Sequence, residues 1–134
     1  MSVKLATQNI RDIAVFERIT KVHAKDCIRA DSCVYFMIEP GKSGLAIGKN
    51  GNVAKSVGRV IGKPVKVFEF AGDVEMMVKN MVPTAKSVEV SGDSVTVSIP
   101  ETDRSVVIGR NGQNIKAVKE FLKRHFEINY LRLR

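Results

Sequence analysis

Two short segments combine the residue types that capture a phosphate. Ile47-Gly48-Lys49-Asn50-Gly51 recurs 61 residues later as Ile108-Gly109-Arg110-Asn111-Gly112. Glycine at both ends permits left-handed backbone and presents no Cβ to an incoming sugar-phosphate strand. The N–H groups of such a loop, and the N-terminus of a helix that follows it, point at anions. Lys49 and Arg110 place a cation between the glycines. Asn50 and Asn111 tolerate the left-handed conformation that a tight loop requires. A bare Gly-x-x-Gly is weak evidence, and Gly41-Lys42-Ser43-Gly44 is a third copy in a chain with ten glycines. The weight lies in the repeated cation and asparagine, each time ahead of an amphipathic stretch. A plain bend between helices needs neither.

The residues after each loop extend the basic character. Lys55, Arg59 and Lys63 fall at i, i+4 and i+8, and Lys116, Lys119 and Lys123 at i, i+3 and i+7. Lys55 and Lys116 lie one turn from their loops at equivalent positions, and are the stronger candidates for phosphate contact. The chain as a whole has 22 basic and 14 acidic side chains, a net charge of +8, and a pI near 9.7. Residues 1–70 carry twelve basic and six acidic side chains, and residues 71–134 carry ten and eight. Such a balance points to a polyanionic partner, nucleic acid ahead of a membrane surface. No apolar run is long enough to span a bilayer. Met1-Ser2-Val3-Lys4-Leu5 has no signal-peptide core, so the expected location is cytoplasmic.

Other chemistries fit the residues poorly. Ala46-x-Gly48-x-x-Gly51, with Glu69 eighteen residues on, approaches the dinucleotide-binding fingerprint but has alanine at the first glycine. The second copy has Val107 there, and a constant offset puts Tyr130 in place of the acid. Gly41-Lys42-Ser43 ends like a Walker loop, yet Phe36 stands where its first glycine belongs. His23 and His125 are far apart, and with Cys27 and Cys33 they make no recognised metal spacing. No catalytic residue, metal or cofactor is expected. Cys27 and Cys33 read as small core residues, with a hairpin disulfide as the alternative. The scarcity of aromatics argues against recognition by base stacking, and Phe16, Phe36 and Phe121 read as core. Met76, Met77 and Met81 leave open a methionine-lined protein-docking surface.

The elements that must position the loops come in two similar sets. Apolar residues at 6, 10, 13, 16 and 19 predict a helix from Thr7 to Ile19, capped by Thr7 or Asn9. Strands are expected at Lys21–Ile28 and Ser32–Ile38, a break at Pro40-Gly41, and a helix after Gly51 that Gly62 ends. Val65–Phe70 closes the first set as a strand. In the second, Asp73 caps a helix with Val74, Met77, Val78 and Met81 on one face, stopped by Pro83. Lys86–Val90 and Val95–Ile99 read as strands around a Ser91-Gly92-Asp93-Ser94 turn. Thr102 or Asp103 caps a short helix to Gly109, despite the β-branched Val106-Val107-Ile108. A helix through Ile115, Val118 and Leu122 follows, then a strand at Ile128–Leu133. The offset of 61 also aligns Phe70 with Leu131. Each unit therefore reads helix–strand–strand–short helix–Gly-x-x-Gly–helix–strand, an α+β pattern with the join at residues 70 and 71.

Gly48-Lys49-Asn50-Gly51 and Gly109-Arg110-Asn111-Gly112, each preceded by isoleucine and set in this order of elements, resemble the signature of KH domains. The whole chain is similar to archaeal NusA-like transcription factors. That resemblance implies two tandem type II KH domains, 1–70 and 71–134, each a three-stranded mixed sheet with three helices on one face. It implies single-stranded RNA as partner, the strand lying between the loop, its flanking helices and the final strand. Gly48, Lys49, Asn50, Gly51 and Lys55, with Gly109, Arg110, Asn111, Gly112 and Lys116, would then hold the backbone. Val53, Asn114 and Ile115 would face bases. The implied role is in transcription elongation or termination on nascent RNA, by a monomer, with the RNA polymerase elongation complex as a further partner. Ribosome assembly, RNA decay and protein docking are the alternative roles.

Overall fold

A computed structural model describes residues 7–134. Ala6, assigned above to the first helix's apolar face, and the Met1–Leu5 segment lie outside the described residues. The chain divides into two compact units, Met1–Phe70 and Ala71–Arg134.

The first unit is ordered around one strand. β2 (Val34–Ile38) is a continuous apolar run with every residue buried, as a central strand covered on both faces must be. β1 (Ala24–Arg29) pairs with it antiparallel and β3 (Val65–Glu69) parallel, giving a three-stranded mixed sheet. Three helices accompany it: α1 (Thr7–Thr20), the short α2 (Ser43–Ile47) and α3 (Asn52–Ile61). Phe16 of α1 stacks on Phe36 of β2 with ring centroids 4.2 Å apart. Val34, Ile38, Cys27, Ala46 and Val57 complete that core. The parallel β2–β3 pair needs a crossover, and α2, the loop and α3 supply it. The loop is thus part of the connection that builds the sheet.

The second unit repeats the plan with α4 (Val74–Met81), β4 (Ser87–Ser91), β5 (Ser94–Ser98), α5 (Arg104–Ile108), α6 (Gln113–Phe126) and β6 (Tyr130–Leu133). Its sheet order is β4-β5-β6, antiparallel then parallel. Asp73 caps α4 by accepting from the Met76 N–H at 3.0 Å. Val106-Val107-Ile108 is helical, because tertiary packing of Val107 outweighs β propensity. Val95, Val97 and Ile99 are buried as their alternation requires.

Several expectations need correction. Ile10 is 57% exposed, and Asp12 is buried on that helix together with Phe16 and Thr20. Asn9 lies inside α1 and donates to the Cys27 carbonyl (3.5 Å), so it is no cap. Asp103 makes no side-chain capping bond; a 3-10 turn at Glu101–Asp103 leads into α5 instead. Three strands start late, at Ala24, Val34 and Tyr130, because hydrogen-bond register and not residue type sets strand ends. Cys27 and Cys33 are buried thiols not joined in a disulfide. The constant offset also fails past the second helix. α6 is longer than α3, so Leu131 pairs with Val95 as Val65 pairs with Val34. Leu131 thus stands in Val65's place and not Phe70's, and Tyr130 is not the counterpart of Glu69. Met77 and Met81 are buried, leaving only Met76 of that group on the surface.

Asp12 is the one acid that α1 buries, and Arg29 of β1 reaches it with both oxygens within 2.9 Å of Nη1. Gln8 adds a 3.1 Å bond to the same carboxylate. Asp12→Ala leaves the guanidinium facing a cavity and is expected to cost about 3–5 kcal/mol in urea unfolding, with Asp12→Asn costing less. Burial pushes the Cys27 thiol up to about 12, against the opposing hydrogen bond from Asn9, and raises Cys33 as well. Both thiols are therefore expected to resist a thiol reagent near pH 8 in the folded protein, and to react at once in denaturant.

Candidate nucleic-acid interface

Each loop begins where a short helix stops. In the first unit the Gly48 N–H bonds the Gly44 carbonyl at 2.9 Å and ends α2. The backbone then swings to φ 77°, ψ 175°, a region essentially reserved for glycine. Lys49–Gly51 make a 3-10 turn with Asn50 left-handed at φ 56°, and Gly51, at φ 74°, precedes α3. The second loop traces the same path. Gly109 lies at φ 80°, ψ 174°, Asn111 at φ 54° and Gly112 at φ 72°. Two different sequences thus reach one conformation to within a few degrees.

The two glycines of a loop are needed for different reasons. A Cβ on Gly48 would stand 2.4 Å from Val53 Cγ2 and 3.0 Å from the Val53 nitrogen. On Gly109 it would stand 2.6 Å from Asn114 Cβ. The space beside the first glycine is therefore filled by the protein's own helix, and is not kept open for a ligand as the sequence suggested. The second glycine has only the Lys55 Cε, or the Lys116 Cε, at 3.9 Å from such a Cβ. Its constraint is the positive φ alone.

That last contact also places the lysines. The stems of Lys55 and Lys116 lie beside the second glycine of their loops, so each loop carries a cation between its glycines and a helix lysine at its end. Lys49, Asn50, Lys55, Arg110, Asn111 and Lys116 are all exposed. The loop's own bonds take the N–H groups of Gly48, Gly51 and Asn52. Neither following helix has a side-chain cap; the N–H groups of Asn52 and Gln113 bond the Lys49 and Arg110 carbonyls, and the next N–H groups of each first turn have no side-chain cap as acceptor. The arrangement presents two cations and a set of open N–H donors to an anion, twice.

Other assigned residues lie elsewhere. Lys63 falls beyond α3 and donates to the Ala30 carbonyl at 2.9 Å, tying the helix end to the β1–β2 turn. It is structural, whereas Arg59 is exposed and bonds Ser56. Lys119 and Lys123 are exposed along α6. Asn114 is buried and its amide donates to the Val107 carbonyl at 2.8 Å, so it faces no base. That bond satisfies an otherwise open carbonyl at the end of α5. Val53 fills the same place with methyl groups. The sequence reading missed Leu45 and Val106, which are exposed one turn ahead of each loop. Their signal was there, since both are large aliphatics at the same offset of 61. Among the described residues no group of three or more His, Cys, Asp or Glu could hold a metal ion. Among the same residues no helix is long and apolar enough to cross a membrane.

Comparison with known proteins bears on this site. The KH domain family matches residues 74–130. A probable transcription termination protein NusA of Halobacterium salinarum is 34% identical over 99% of both chains. That of Methanocaldococcus jannaschii is 31% identical over 98% of this chain and 75% of its own. The crystal structure of APE1850 matches with a TM-score of 0.78 at 30% identity, covering 97% of this chain and 100% of that one.

The loop geometry sets an order of effects. Gly48→Ala and Gly109→Ala meet both a steric clash and a glycine-only conformation. Each is expected to destabilise its unit by about 2 kcal/mol or more, against about 1 kcal/mol for Gly51→Ala or Gly112→Ala, in denaturant titrations.

Proposed function

The chain belongs to the family of archaeal NusA-like KH proteins, and on that premise we propose that it is an RNA-binding protein of the transcription machinery. Its two units, 1–70 and 71–134, act as tandem KH domains of type II. The observation that carries this reading is the duplicated loop: the same backbone path, the same asparagine, and a cation pair at each copy. Each loop clamps the backbone of a single RNA strand, about four nucleotides per unit. Lys49 and Lys55 neutralise phosphates at the first loop, and Arg110 and Lys116 at the second. The first-turn N–H groups of the following helices donate to the remaining phosphate oxygens. Leu45 and Val106 offer aliphatic surface to bases beside the clamp. The RNA is a nascent transcript, and the function is in elongation or termination. No step of catalysis is assigned to any residue. The buried thiols support that, since neither is available as a thiolate nucleophile.

The test uses fluorescence anisotropy with a labelled single-stranded RNA of about a dozen nucleotides. The variant Lys49→Asp, Asn50→Asp, Arg110→Asp, Asn111→Asp keeps residues that tolerate left-handed backbone while reversing the charge. It is expected to fold, by circular dichroism, and to lose at least about tenfold in affinity at low salt. Equal binding by the folded variant would show that the loops are bends and that the net charge attracts RNA without them.

A further inference from the structure

The two sheets differ on the face opposite their core helices. In the first unit that face carries Tyr35 and Met37 of β2 with Phe68 of β3, all buried, and Tyr35 stacks on Phe68. In the second unit Thr96 and Ser98 on β5 and Arg134 stand in those three places, and Arg132 stands in that of Lys66, which is exposed on β3. Thr96 pairs with Arg132. Arg134 continues the ladder, its N–H donating to the Val97 carbonyl and its carbonyl accepting from the Ile99 N–H. The alternation along a strand puts Tyr130, Arg132 and Arg134 on one face. Val95 and Val97 occupy the other, with the core. Tyr130 is 66% exposed, the one ring of the chain's two tyrosines that faces solvent, and both arginines are exposed. Neither arginine has an ion-pair partner among the described residues. Glu89, the one acid in this row, lies two strands away on β4, and Asp93 at the hairpin tip is held by the Asn129 amide at 3.0 Å.

We infer that this face of the second sheet is a further contact surface for single-stranded RNA, separate from the glycine loops, with Tyr130 stacking on a base and Arg132 and Arg134 holding the adjoining phosphates. The chemistry is that of a stacking platform: an exposed ring for a base of any identity, with cations in a row along the strand for the backbone. The edge position of β6 leaves room for the strand to pass. Topology connects the face to the loop. α6 leads away from Gly112 to Phe126, and β6 then returns antiparallel to it, so the row runs from Tyr130 back toward the loop end of the unit. Hydroxyls of Ser94, Thr96 and Ser98 border the row and can bond sugar or base edges. The low aromatic content of the sequence argued against stacking. One well-placed ring is enough for a single base.

The experiment is binding of a labelled twelve-nucleotide oligo(A) RNA to the full chain, wild type against Tyr130→Ala, Tyr130→Phe, and Arg132→Ala with Arg134→Ala. Tyr130→Ala is expected to weaken binding at least about fivefold, and Tyr130→Phe to restore it, since the ring face and not the hydroxyl makes the contact. The double arginine variant is expected to flatten the salt dependence by about 1.4 in log–log slope, two phosphates on a single strand. The chain has no tryptophan and Tyr35 is buried, so oligo(A) is expected to quench Tyr130 emission in the wild type. Wild-type affinity in Tyr130→Ala overturns the inference and leaves the exposed ring to a protein partner. Equal loss in Tyr130→Phe and Tyr130→Ala overturns it as well. The loop variant separates this surface from the clamp. Loss of binding there, with Tyr130→Ala unaffected, keeps the clamp and discards the face; the reverse result keeps the face and discards the clamp.

Discussion

The close approach of each loop's first glycine to the helix that follows it sets the geometry of everything around it. Gly48 lies so near Val53, and Gly109 so near Asn114, that no side chain fits between them. The short helix can then end, reverse and start the long helix within four residues. The left-handed asparagine and second glycine complete the reversal. Because the chain turns back so tightly, the mid-loop cation is pushed into solvent and the helix lysine falls across the loop's end. The site is therefore a consequence of backbone sterics, and the charged groups are placed by the turn instead of by bonds to neighbours.

That turn is also the crossover of a parallel strand pair. β2 and β3, like β5 and β6, pair in parallel and require a connection across the sheet. Helix, loop and helix make that connection in both units, so the glycine turn is anchored by the sheet's own register. Buried packing holds the ends in place: Ala46 and Val57 flank the first loop, and Val107, Ala117 and Val118 the second. The units differ in how they secure the loop, by methyl packing at Val53 and by the Asn114–Val107 hydrogen bond. They differ more on the far side of their sheets, where buried Tyr35, Met37 and Phe68 of the first give way to Thr96, Ser98 and an exposed Arg134 in the second.

Much of this was legible in the residues. Hydrophobic periodicity and capping located α4 and its Asp73, and Gly62 and Pro83 marked real helix ends. Patterning located α1 and its Phe16 but misjudged Ile10 and Asp12, because Asp12 is buried through an ion pair with Arg29, seventeen residues away, that no local rule reveals. It misjudged Lys63 and Asn114 for the same reason. A lysine or asparagine at helical spacing reads as a surface group until its partner carbonyl is known. The offset of 61 held through the loop and failed after it, since a longer α6 shifts the strand while leaving its pairing intact.

The sequence by itself determined the duplication, the loop chemistry and the order of elements, because these rest on local sterics: glycine and asparagine where the backbone turns left-handed, and apolar spacing where a helix or strand has one buried face. Only the tertiary structure decided which glycine is constrained by packing and which by φ, which basic residues are free to meet an anion, and that Tyr130 stands in solvent beside two arginines. Those facts depend on contacts between segments distant along the chain, and on strand register, and a local pattern of residue types carries neither.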